Sequence, residues 1–335
     1  MKAYEIHPKD GFDALVPVER PSPPIGPTDV RVRVKATSLN YRDLVMVKGA
    51  KHRKAPIVPL SDGAGEVLEV GAQVTRFKPR DRVAAAFFPT WLDGPFADVQ
   101  HTRSLGSGQD GMLAEEVVLP ETGWVRVPGH LSFEQAATLP CAAVTAWHAL
   151  FEAAHVSPGD TVLVQGTGGV AIFGLQLARA AGARVVLTSS SAAKRERASG
   201  MGAACVLDYK TQLKWGDAAR AFTEGRGVDV VIDVGGPGTF DQSVAALRYG
   251  GTMSLLGVLT GTKGEVSTYG VFHKALRVAG IYVGSVAMFE RVVRAIETVH
   301  LEPVIDRVFP FGDTKEAFAH LASGAHFGKV VIRLD

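Results

Sequence analysis

Cysteine is scarce in this sequence, and neither sign of charge is in clear excess. The 335 residues include two cysteines, Cys141 and Cys205, too few for the disulfide framework of a small secreted protein or for a four-thiolate zinc site. Lysine and arginine total 36 against 34 aspartate and glutamate, which gives a formal net charge of +2. Because nucleic-acid binding requires a basic surface, this balance argues against a nucleic-acid partner.

Long apolar runs are also missing. The N-terminal stretch MKAYEIHPKDGFDALV has no apolar core of signal-peptide length. No later run approaches the roughly 18 apolar residues of a membrane span. We therefore expect no membrane partner and a cytoplasmic location, whose reducing conditions suit the low cysteine content.

Glycine is abundant, with 37 residues, while 46% of the chain is apolar and 21% is charged. These are the proportions of a folded globular protein and exclude a disordered or collagen-like chain. The length is about twice that of a typical domain, which predicts two domains or one domain inserted into another.

The first third of the chain has the pattern of short strands separated by turns. Residues 29–39 alternate apolar and polar side chains at Val30, Val32 and Val34, and residues 62–71 and 81–88 are similar short apolar segments. Period-two alternation between proline and glycine clusters predicts a mainly antiparallel β domain. We expect the glycine-rich residues 104–112 to form a mobile loop.

From about residue 145, apolar strand-like segments alternate with helix-like ones. Such a pattern predicts an α/β fold with a doubly wound parallel sheet covered on both faces. We expect residues 285–335 to return to the first domain, so that 1–130 with 285–335 and 131–284 form the two domains. The six predicted strands of the parallel sheet are residues 161–166, 183–189, 204–209, 229–236, 252–258 and 276–284.

A glycine-rich turn follows the first of these strands. Gly166, Gly168 and Ala171 occupy the positions of a G-x-G-x-x-[GA] dinucleotide fingerprint that opens a helix. The first glycine permits a tight turn, the second lets the backbone approach a pyrophosphate, and the helix N-terminus favours its negative charge. We therefore expect cofactor contacts from the turn residues Gly166, Thr167, Gly168, Gly169 and Val170.

The end of the second strand indicates which dinucleotide binds. An NAD site usually has an acidic residue there to accept from the ribose 2′-OH. This sequence instead has hydroxyl and basic side chains, which suit a 2′-phosphate and predict NADP(H). In the alternative interpretation, Ser190 or Ser191 is a helix N-cap and the basic residues are a solvated helix face. The residues concerned are Thr188, Ser189, Ser190, Ser191, Lys194, Arg195 and Arg197.

Several segments in chain order resemble the medium-chain dehydrogenase/reductase superfamily, particularly its zinc-independent, quinone-oxidoreductase-like members. The resemblance implies a GroES-like β-barrel catalytic domain, an inserted Rossmann domain, a small-molecule substrate and usually a homodimer or homotetramer. The matching segments are SLNYRDLVMVKG (38–49), PLSDGAGEVLEVG (59–71), RFKPRDRV (76–83), ATLPCAAVTAWHAL (137–150), the GTGGVA turn and HFGKVVI (326–332).

The same resemblance places the expected zinc ligands. Zinc-dependent relatives have a cysteine, a His-Glu pair and a second cysteine or aspartate where this chain has Asn40, Ser61 with Asp62, and Cys141. Because only Cys141 is a good zinc ligand, we expect no metal. Cys141 is then expected to be a small buried hydrophobe.

Hydride transfer to a polarised C=O or C=C builds negative charge on oxygen, which requires a donor where zinc is absent. Asn40 and Tyr41 are the candidate catalytic residues, since an amide can donate and a phenol can donate or deliver a proton. The alternative is that Tyr41 packs the floor of the cleft and Asn40 caps a turn. Trp91 is expected to line the substrate cleft by stacking on a planar substrate, or else to be ordinary packing.

Further cofactor contacts are expected outside the glycine-rich turn. The resemblance implies Thr145 near the nicotinamide ribose, Lys194 and Tyr209 at the 2′-phosphate, and Phe327 with Lys329 in a segment that closes on the cofactor. Ser189 and Ser190 are expected at the 2′-phosphate because they end the second strand. Lys329 has the alternative of a surface position. Since ligands bind beyond the carboxyl ends of parallel strands, Gly235, Gly257 and Val258 are expected beside the nicotinamide.

The predicted function is therefore zinc-independent, NADP(H)-dependent hydride transfer to a quinone or an activated alkene such as an enal or enone. A close alternative is an NAD(P)-dependent alcohol dehydrogenase or ketone reductase. An alternative of another class is a non-catalytic NADPH-binding module.

Overall fold

The computed structural model describes residues 1–334, and the chain forms two compact units. One unit contains Met1–Val144 together with the chain from Val283 onward, and the other contains Thr145–Tyr282. One domain is therefore inserted into another, as the length and the change of sequence pattern predict.

The strands of the described chain are short apart from β3, β4 and β12. They are β1 (Lys2–Ile6), β2 (Leu15–Glu19), β3 (Asp29–Ser38), β4 (Asp62–Val70), β5 (Arg82–Ala85), β6 (Glu116–Pro120), β7 (Trp124–Arg126), β8 (Thr161–Gln165), β9 (Arg184–Thr188), β10 (Cys205–Leu207), β11 (Val228–Asp233), β12 (Leu247–Leu255), β13 (Arg277–Gly280), β14 (Ile305–Pro310) and β15 (Lys329–Arg333).

The longest helices are α5 and α10. The α-helices are α1 (Tyr41–Lys48), α2 (Asp98–His101), α3 (Phe133–Ala136), α4 (Val144–Trp147), α5 (Gly169–Ala180), α6 (Ala192–Gly200), α7 (Trp215–Phe222), α8 (Pro237–Ala246), α9 (Tyr269–His273), α10 (Val286–Val299) and α11 (Thr314–Ala322). Two π-helical segments, Leu139–Ala143 and His148–Ala153, flank α4. Across residues 1–334 no helix combines the length and the apolar character needed to cross a membrane.

The second unit contains a parallel sheet with the strand order β10-β9-β8-β11-β12-β13. Every residue of β8 and β11 is buried, because helices cover both faces of such a sheet. The α/β class and the doubly wound sheet predicted from the apolar runs are confirmed. Each expected strand overlaps one of these six, although several end a few residues earlier.

The first unit contains a mainly antiparallel sheet with the order β14-β15-β3-β4-β5-β7, in which β6 also pairs with β3. The predicted alternation in β3 is observed, since Val30, Val32 and Val34 are buried in the core. The last strand joins this sheet by antiparallel pairing with β3, with Val331 opposite Ser38. The C-terminal segment therefore belongs to the same unit as the N-terminal third.

The division between the units lies after Val144 rather than after residue 130 as the sequence pattern suggested. Residues in this stretch are tied to the first sheet, because Ser38 Oγ donates to Ala137 O at 2.9 Å and Cys141 N donates to Asp62 Oδ2 at 3.3 Å. The helical sequence pattern of residues 131–144 does not show which sheet these residues pack against, so the boundary was placed too early.

Residues 104–112, expected to form a mobile loop, are packed instead. Leu105 and Met112 are fully buried, and Gly111 N donates to Val58 O at 2.8 Å. A Cβ at Gly111 would lie 2.1 Å from Leu60 O. The glycines here permit close backbone approach, which composition alone does not distinguish from flexibility.

Candidate functional site

A buried polar cluster lies at one end of the first sheet. Its members come from three adjacent strands, since β15 begins at Lys329, β4 begins at Asp62, and Asn40 follows the end of β3. The register brings them together, because Ser38 faces both Asp62 and Val331. This arrangement depends on pairing between residues that are far apart in sequence.

Lys329 is the centre of this cluster and is only 2% exposed. Its Nζ donates to Leu39 O at 2.8 Å and to Asn40 Oδ1 at 2.6 Å, and it lies 3.5 Å from Asp62 Oδ2. A buried ammonium requires such partners, because an isolated charge in the interior is strongly unfavourable. The interpretations of Lys329 as a cofactor contact or a surface residue do not match this position.

Asp62 is fully buried and is the anionic partner in the cluster. Its Oδ1 accepts from Ser61 Oγ at 2.8 Å, and its Oδ2 accepts from Cys141 N at 3.3 Å. Ser38 Oγ lies 3.3 Å from the same Oδ2. The carboxylate is therefore surrounded by donors and fixed in one orientation.

Asn40 is the N-cap of α1, but its side chain makes no cap hydrogen bond. Asn40 therefore caps α1 through its backbone, since Asp43 at the third helical position accepts from Asn40 N. Because an ammonium only donates, Asn40 Oδ1 must face Lys329, and Nδ2 must face the other way. That Nδ2 is buried and has no hydrogen-bond partner among residues 1–334.

An unpaired buried donor is unusual, because leaving it unsatisfied costs about 1–3 kcal/mol. Reversing the amide would place its NH2 against the Lys329 ammonium, which is worse. The arrangement therefore leaves a fixed N–H donor whose acceptor the chain does not supply.

Asp43 adds a second carboxylate beside Asn40. Its Oδ2 accepts from Asn40 N at 2.7 Å, which fixes the backbone at the start of α1. Burial raises the pKa of Asp43 from the ordinary 3.8 to about 6, although the Arg42 guanidinium opposes the change. The carboxyl is thus protonated more readily when the protein is folded.

Asp43→Asn is expected to change how stability depends on pH. Because the pKa is higher in the folded than in the unfolded state, the free energy of unfolding falls as pH rises from about 4 to 6. The difference corresponds to about 3 kcal/mol. Urea unfolding of both proteins from pH 4 to 8 should show this slope in the wild type and its loss in the variant. Equal slopes would contradict the assigned pKa.

Tyr41 and Trp91 differ in accessibility. Tyr41 is the first residue of α1 and is 45% exposed, so its phenol is accessible to a ligand and is not packed away. Trp91 is only 3% exposed; its ring packs with Phe88 and Phe96, and its Nε1 donates to Gly94 O at 2.9 Å. Stacking of Trp91 on a substrate would require it to leave this aromatic cluster.

The glycine-rich turn of the second unit has the geometry of a phosphate-binding loop. Gly166 follows β8 with φ +77°, and its N donates to Thr188 O at 2.8 Å. Gly168 is the N-cap of α5 and supplies no side chain to the first-turn N–H groups. A pyrophosphate is the acceptor that such a helix N-terminus favours. Thr167 lies between the two glycines, and Gly169 and Val170 are the first two residues of α5.

The end of β9 carries the residues predicted for a 2′-phosphate. Tyr209 OH donates to Ser190 Oγ at 3.3 Å, and Ser189 Oγ accepts from Ser191 N at 3.3 Å. Lys194 lies in the first turn of α6, where Ser191 is the N-cap. Ser189, Ser190, Lys194 and Tyr209 are therefore assembled near one strand end.

Arg195 is already engaged in this region. Its NH1 donates to Ser189 O at 2.7 Å and lies 2.9 Å from Asp208 Oδ2. A hydrogen bond from Lys210 N is the largest cause that lowers the pKa of Asp208. Arg195 is thus a structural partner of Asp208.

Gln165 links the strand ends where the nicotinamide is expected. Its Nε2 donates to Asp233 Oδ2 at 3.0 Å, while its Oε1 accepts from Val234 N and Gly235 N, both at 3.2 Å. The loop that carries Gly257 lies close by, because a Cβ at Gly257 would be 2.1 Å from Val234 O. Sequence reasoning missed Gln165, although a polar residue that ends a buried apolar strand is a recognisable sign.

The remaining predicted cofactor contacts, Thr145, Val258 and Phe327, differ in how exposed their side chains are. Thr145 is buried at the start of the second unit, and Val258 is about half exposed in the loop after β12. Phe327 is buried in the first unit, where its N donates to Asp306 Oδ1 at 2.9 Å. Phe327 is thus buried, and its role as a cofactor contact stays a prediction.

Comparison with known proteins places both units in one family. Residues 26–129 match the model of the alcohol dehydrogenase GroES-like domain, and residues 169–298 match that of the zinc-binding dehydrogenase. A zinc-type alcohol dehydrogenase-like protein of Schizosaccharomyces pombe is 44% identical, with 99% of each chain covered. The chain belongs to the medium-chain dehydrogenase/reductase family. It is therefore an oxidoreductase enzyme, and the predicted family resemblance is confirmed.

Two further members of the dehydrogenase/reductase family illustrate its range. The crystal structure of a putative alcohol dehydrogenase from Sinorhizobium meliloti superimposes with a TM-score of 0.93 at 40% identity, covering 99% of this chain and 98% of the other. The acryloyl-coenzyme A reductase of Metallosphaera sedula is 34% identical over 257 residues, or 74% of each chain.

Zinc is implied by the name of one matching family model, but the residues of this chain do not fit it. Burial, followed by the negative charge of Asp62, raises the pKa of the Cys141 thiol to about 12, so the thiol is neutral at neutral pH. Asn40 and Ser61 are weak zinc ligands, and the Lys329 ammonium lies 2.6 Å from Asn40 Oδ1. Within residues 1–334 no three His, Cys, Asp or Glu side chains form a metal-binding group.

Proposed function

We propose that the protein is a zinc-independent, NADP(H)-dependent reductase that transfers hydride to an activated alkene, such as a 2-alkenal or enone, or to a quinone. The observation that carries the proposal is the unpaired Nδ2 donor of Asn40, held by a buried ammonium at the positions that zinc ligands occupy in related dehydrogenases. Such a donor suits an oxygen on which negative charge develops.

The overall reaction for an enal balances as enal plus NADPH plus H⁺ giving the saturated carbonyl compound plus NADP⁺. When bound, the reduced nicotinamide supplies the hydride that adds to the β-carbon. Asn40 Nδ2 donates to the carbonyl oxygen as electron density moves onto it. The phenol of Tyr41 delivers the proton to the α-carbon of the resulting enolate, and its accessibility supports this role.

The choice of NADP(H) is supported by the side chains at the end of β9. Residues 188–191 are hydroxyl residues with no carboxylate to accept from a ribose 2′-OH. Lys194 adds a positive charge in the first turn of α6, where Ser191 is the N-cap. A 2′-phosphate would accept from Lys194, Ser190 and Tyr209 at this position.

Lys194→Gln is expected to weaken NADPH binding by about tenfold or more, because a charged hydrogen bond contributes roughly 1.5–3 kcal/mol. NADH binding should change by less than about twofold, because that ligand has no 2′-phosphate. Fluorescence titration of both nucleotides measures the two effects. Lys214→Gln removes the same charge from an exposed residue before α7 and is the matched control. Equal weakening of both nucleotides by Lys194→Gln would contradict the assignment.

An alcohol dehydrogenase or ketone reductase is the second candidate, favoured by the names of the S. pombe and S. meliloti proteins. The acryloyl-coenzyme A reductase instead supports an activated alkene. One assay separates the two: NADPH oxidation with 2-alkenals and quinones against NADP⁺ reduction with simple alcohols. The proposal requires the first to be faster, and preferential alcohol oxidation would contradict it.

A further inference from the structure

We infer that Lys329 is the positioning residue of this site: its buried ammonium fixes the amide of Asn40 so that Nδ2, and not Oδ1, is offered to the substrate oxygen. This role for Lys329 rests on the proposed function. It differs from the cofactor-closing segment that the family resemblance implied for Lys329 and from the alternative of a surface position.

Protein acceptors surround the ammonium of Lys329. An ammonium has three N–H donors, and three acceptors surround Nζ: Leu39 O, Asn40 Oδ1 and, at 3.5 Å, Asp62 Oδ2. Two hydrogen bonds, the ion pair with Asp62 and an exposure of only 2% leave no N–H of Lys329 for a substrate. Lys329 therefore acts through Asn40 and not by direct contact.

Lys329 fixes the orientation of the Asn40 side-chain amide. The 2.6 Å contact between Nζ and Asn40 Oδ1 can form only in one of the two amide orientations, because NH2 and ammonium both donate. Asn40 N is held separately by Asp43 Oδ2 at 2.7 Å. Backbone and side chain of Asn40 are thus fixed by two different charged groups.

Lys329 also strengthens Asn40 Nδ2 as a hydrogen-bond donor. A cation hydrogen-bonded to the amide oxygen withdraws electron density from the amide, so its N–H groups become better donors, as in other polarised hydrogen-bond chains. The nearby charged groups are Asp62, Asp43 and Arg42, and the first two are buried. A neutral replacement of Lys329 would leave two buried carboxyls without this cation.

Asn40 is the only asparagine in the sequence, which allows a direct experiment. Selective labelling with side-chain ¹⁵N-asparagine gives one NH2 signal, that of Asn40. Adding NADP⁺ with cinnamaldehyde, a pair that cannot transfer hydride, should move one NH2 proton downfield as the carbonyl oxygen accepts. In Lys329→Met the free-state ¹⁵N resonance should lie upfield of the wild type, and the ligand-induced shift should be lost.

The kinetic arm uses the same variants. Lys329→Met is expected to lower kcat for alkenal reduction by about 100-fold, as for loss of an oxyanion donor, with the Kd of NADPH unchanged within about twofold. Lys329→Arg retains the cation and should recover part of kcat and of the resonance position. Lys274→Met is the matched control, because Lys274 Nζ also donates to three carbonyls, Val244 O, Ala245 O and Leu247 O. It should keep both kcat and the Asn40 signal.

Each outcome decides the inference. Retention of kcat and of the Asn40 resonance in Lys329→Met would overturn it, as would equal losses in folded Lys329→Arg and Lys329→Met. If the wild type reduces no alkenal or quinone, the proposed function fails, and the free-state resonance still tests the positioning role. An unchanged ¹⁵N shift in Lys329→Met would then overturn that role independently.

Discussion

Asn40→Asp is expected to lower kcat for alkenal reduction by about 100- to 1000-fold, the range seen when one oxyanion donor is removed. The substitution keeps an oxygen for the Lys329 ammonium, which Asn40 Oδ1 now contacts at 2.6 Å. It replaces the unpaired Nδ2 donor with a second acceptor. A carboxylate there would repel the negative charge that develops on the substrate oxygen.

The loss should appear in the hydride-transfer step and not in nucleotide binding. Stopped-flow measurement of NADPH oxidation gives the rate, and fluorescence titration gives the Kd of NADPH, which should stay within about twofold of wild type. Asn40→Leu removes the acceptor as well and should also lower stability, because Lys329 loses a partner. If Asn40→Asp kept the wild-type rate, the donor role would be excluded.

Gly166→Val is expected to weaken NADPH binding by about 100-fold, which corresponds to losing roughly two charged hydrogen bonds to phosphate. Gly166 has φ +77°, and a Cβ there would meet no atom within 4 Å. The free protein therefore has room for the side chain but must accept backbone strain. The same open space is where a pyrophosphate would approach the turn.

Gly159→Val separates strain from ligand exclusion. Gly159 has φ +92° and likewise no atom within 4 Å of a Cβ, but it lies in the turn before β8. Both variants should lose similar stability in urea unfolding, and only Gly166→Val should lose NADPH affinity. Equal affinity losses would mean that strain, and not the phosphate contact, is responsible.

The parts of the fold that follow from local pattern were predictable. Val30, Val32 and Val34 mark β3 by alternation, and the continuous apolar runs mark β8 and β11. The Gly166 turn was recognisable because its glycines have fixed spacing between a strand and a helix. These strands and this turn can be predicted because each depends on a sequence pattern within about twenty residues.

The polar cluster was not predictable in the same way. The segment containing Lys329 was expected to return to the first domain, but its place in the sheet is set by antiparallel pairing of Val331 with Ser38. Only that pairing brings the ammonium to Asn40. Trp91 shows the same limit, because an aromatic residue in a loop has the same sequence pattern whether it packs inward or lines a cleft.

Transfer of deuterium from [4-²H]NADPH to trans-2-hexenal, in the presence of a strong zinc chelator, tests the central claim most directly. Metal-free reduction of the activated alkene predicts a saturated aldehyde with deuterium on the β-carbon, at a rate unchanged by the chelator. Deuterium on the former carbonyl carbon, or loss of transfer when zinc is chelated, would contradict it.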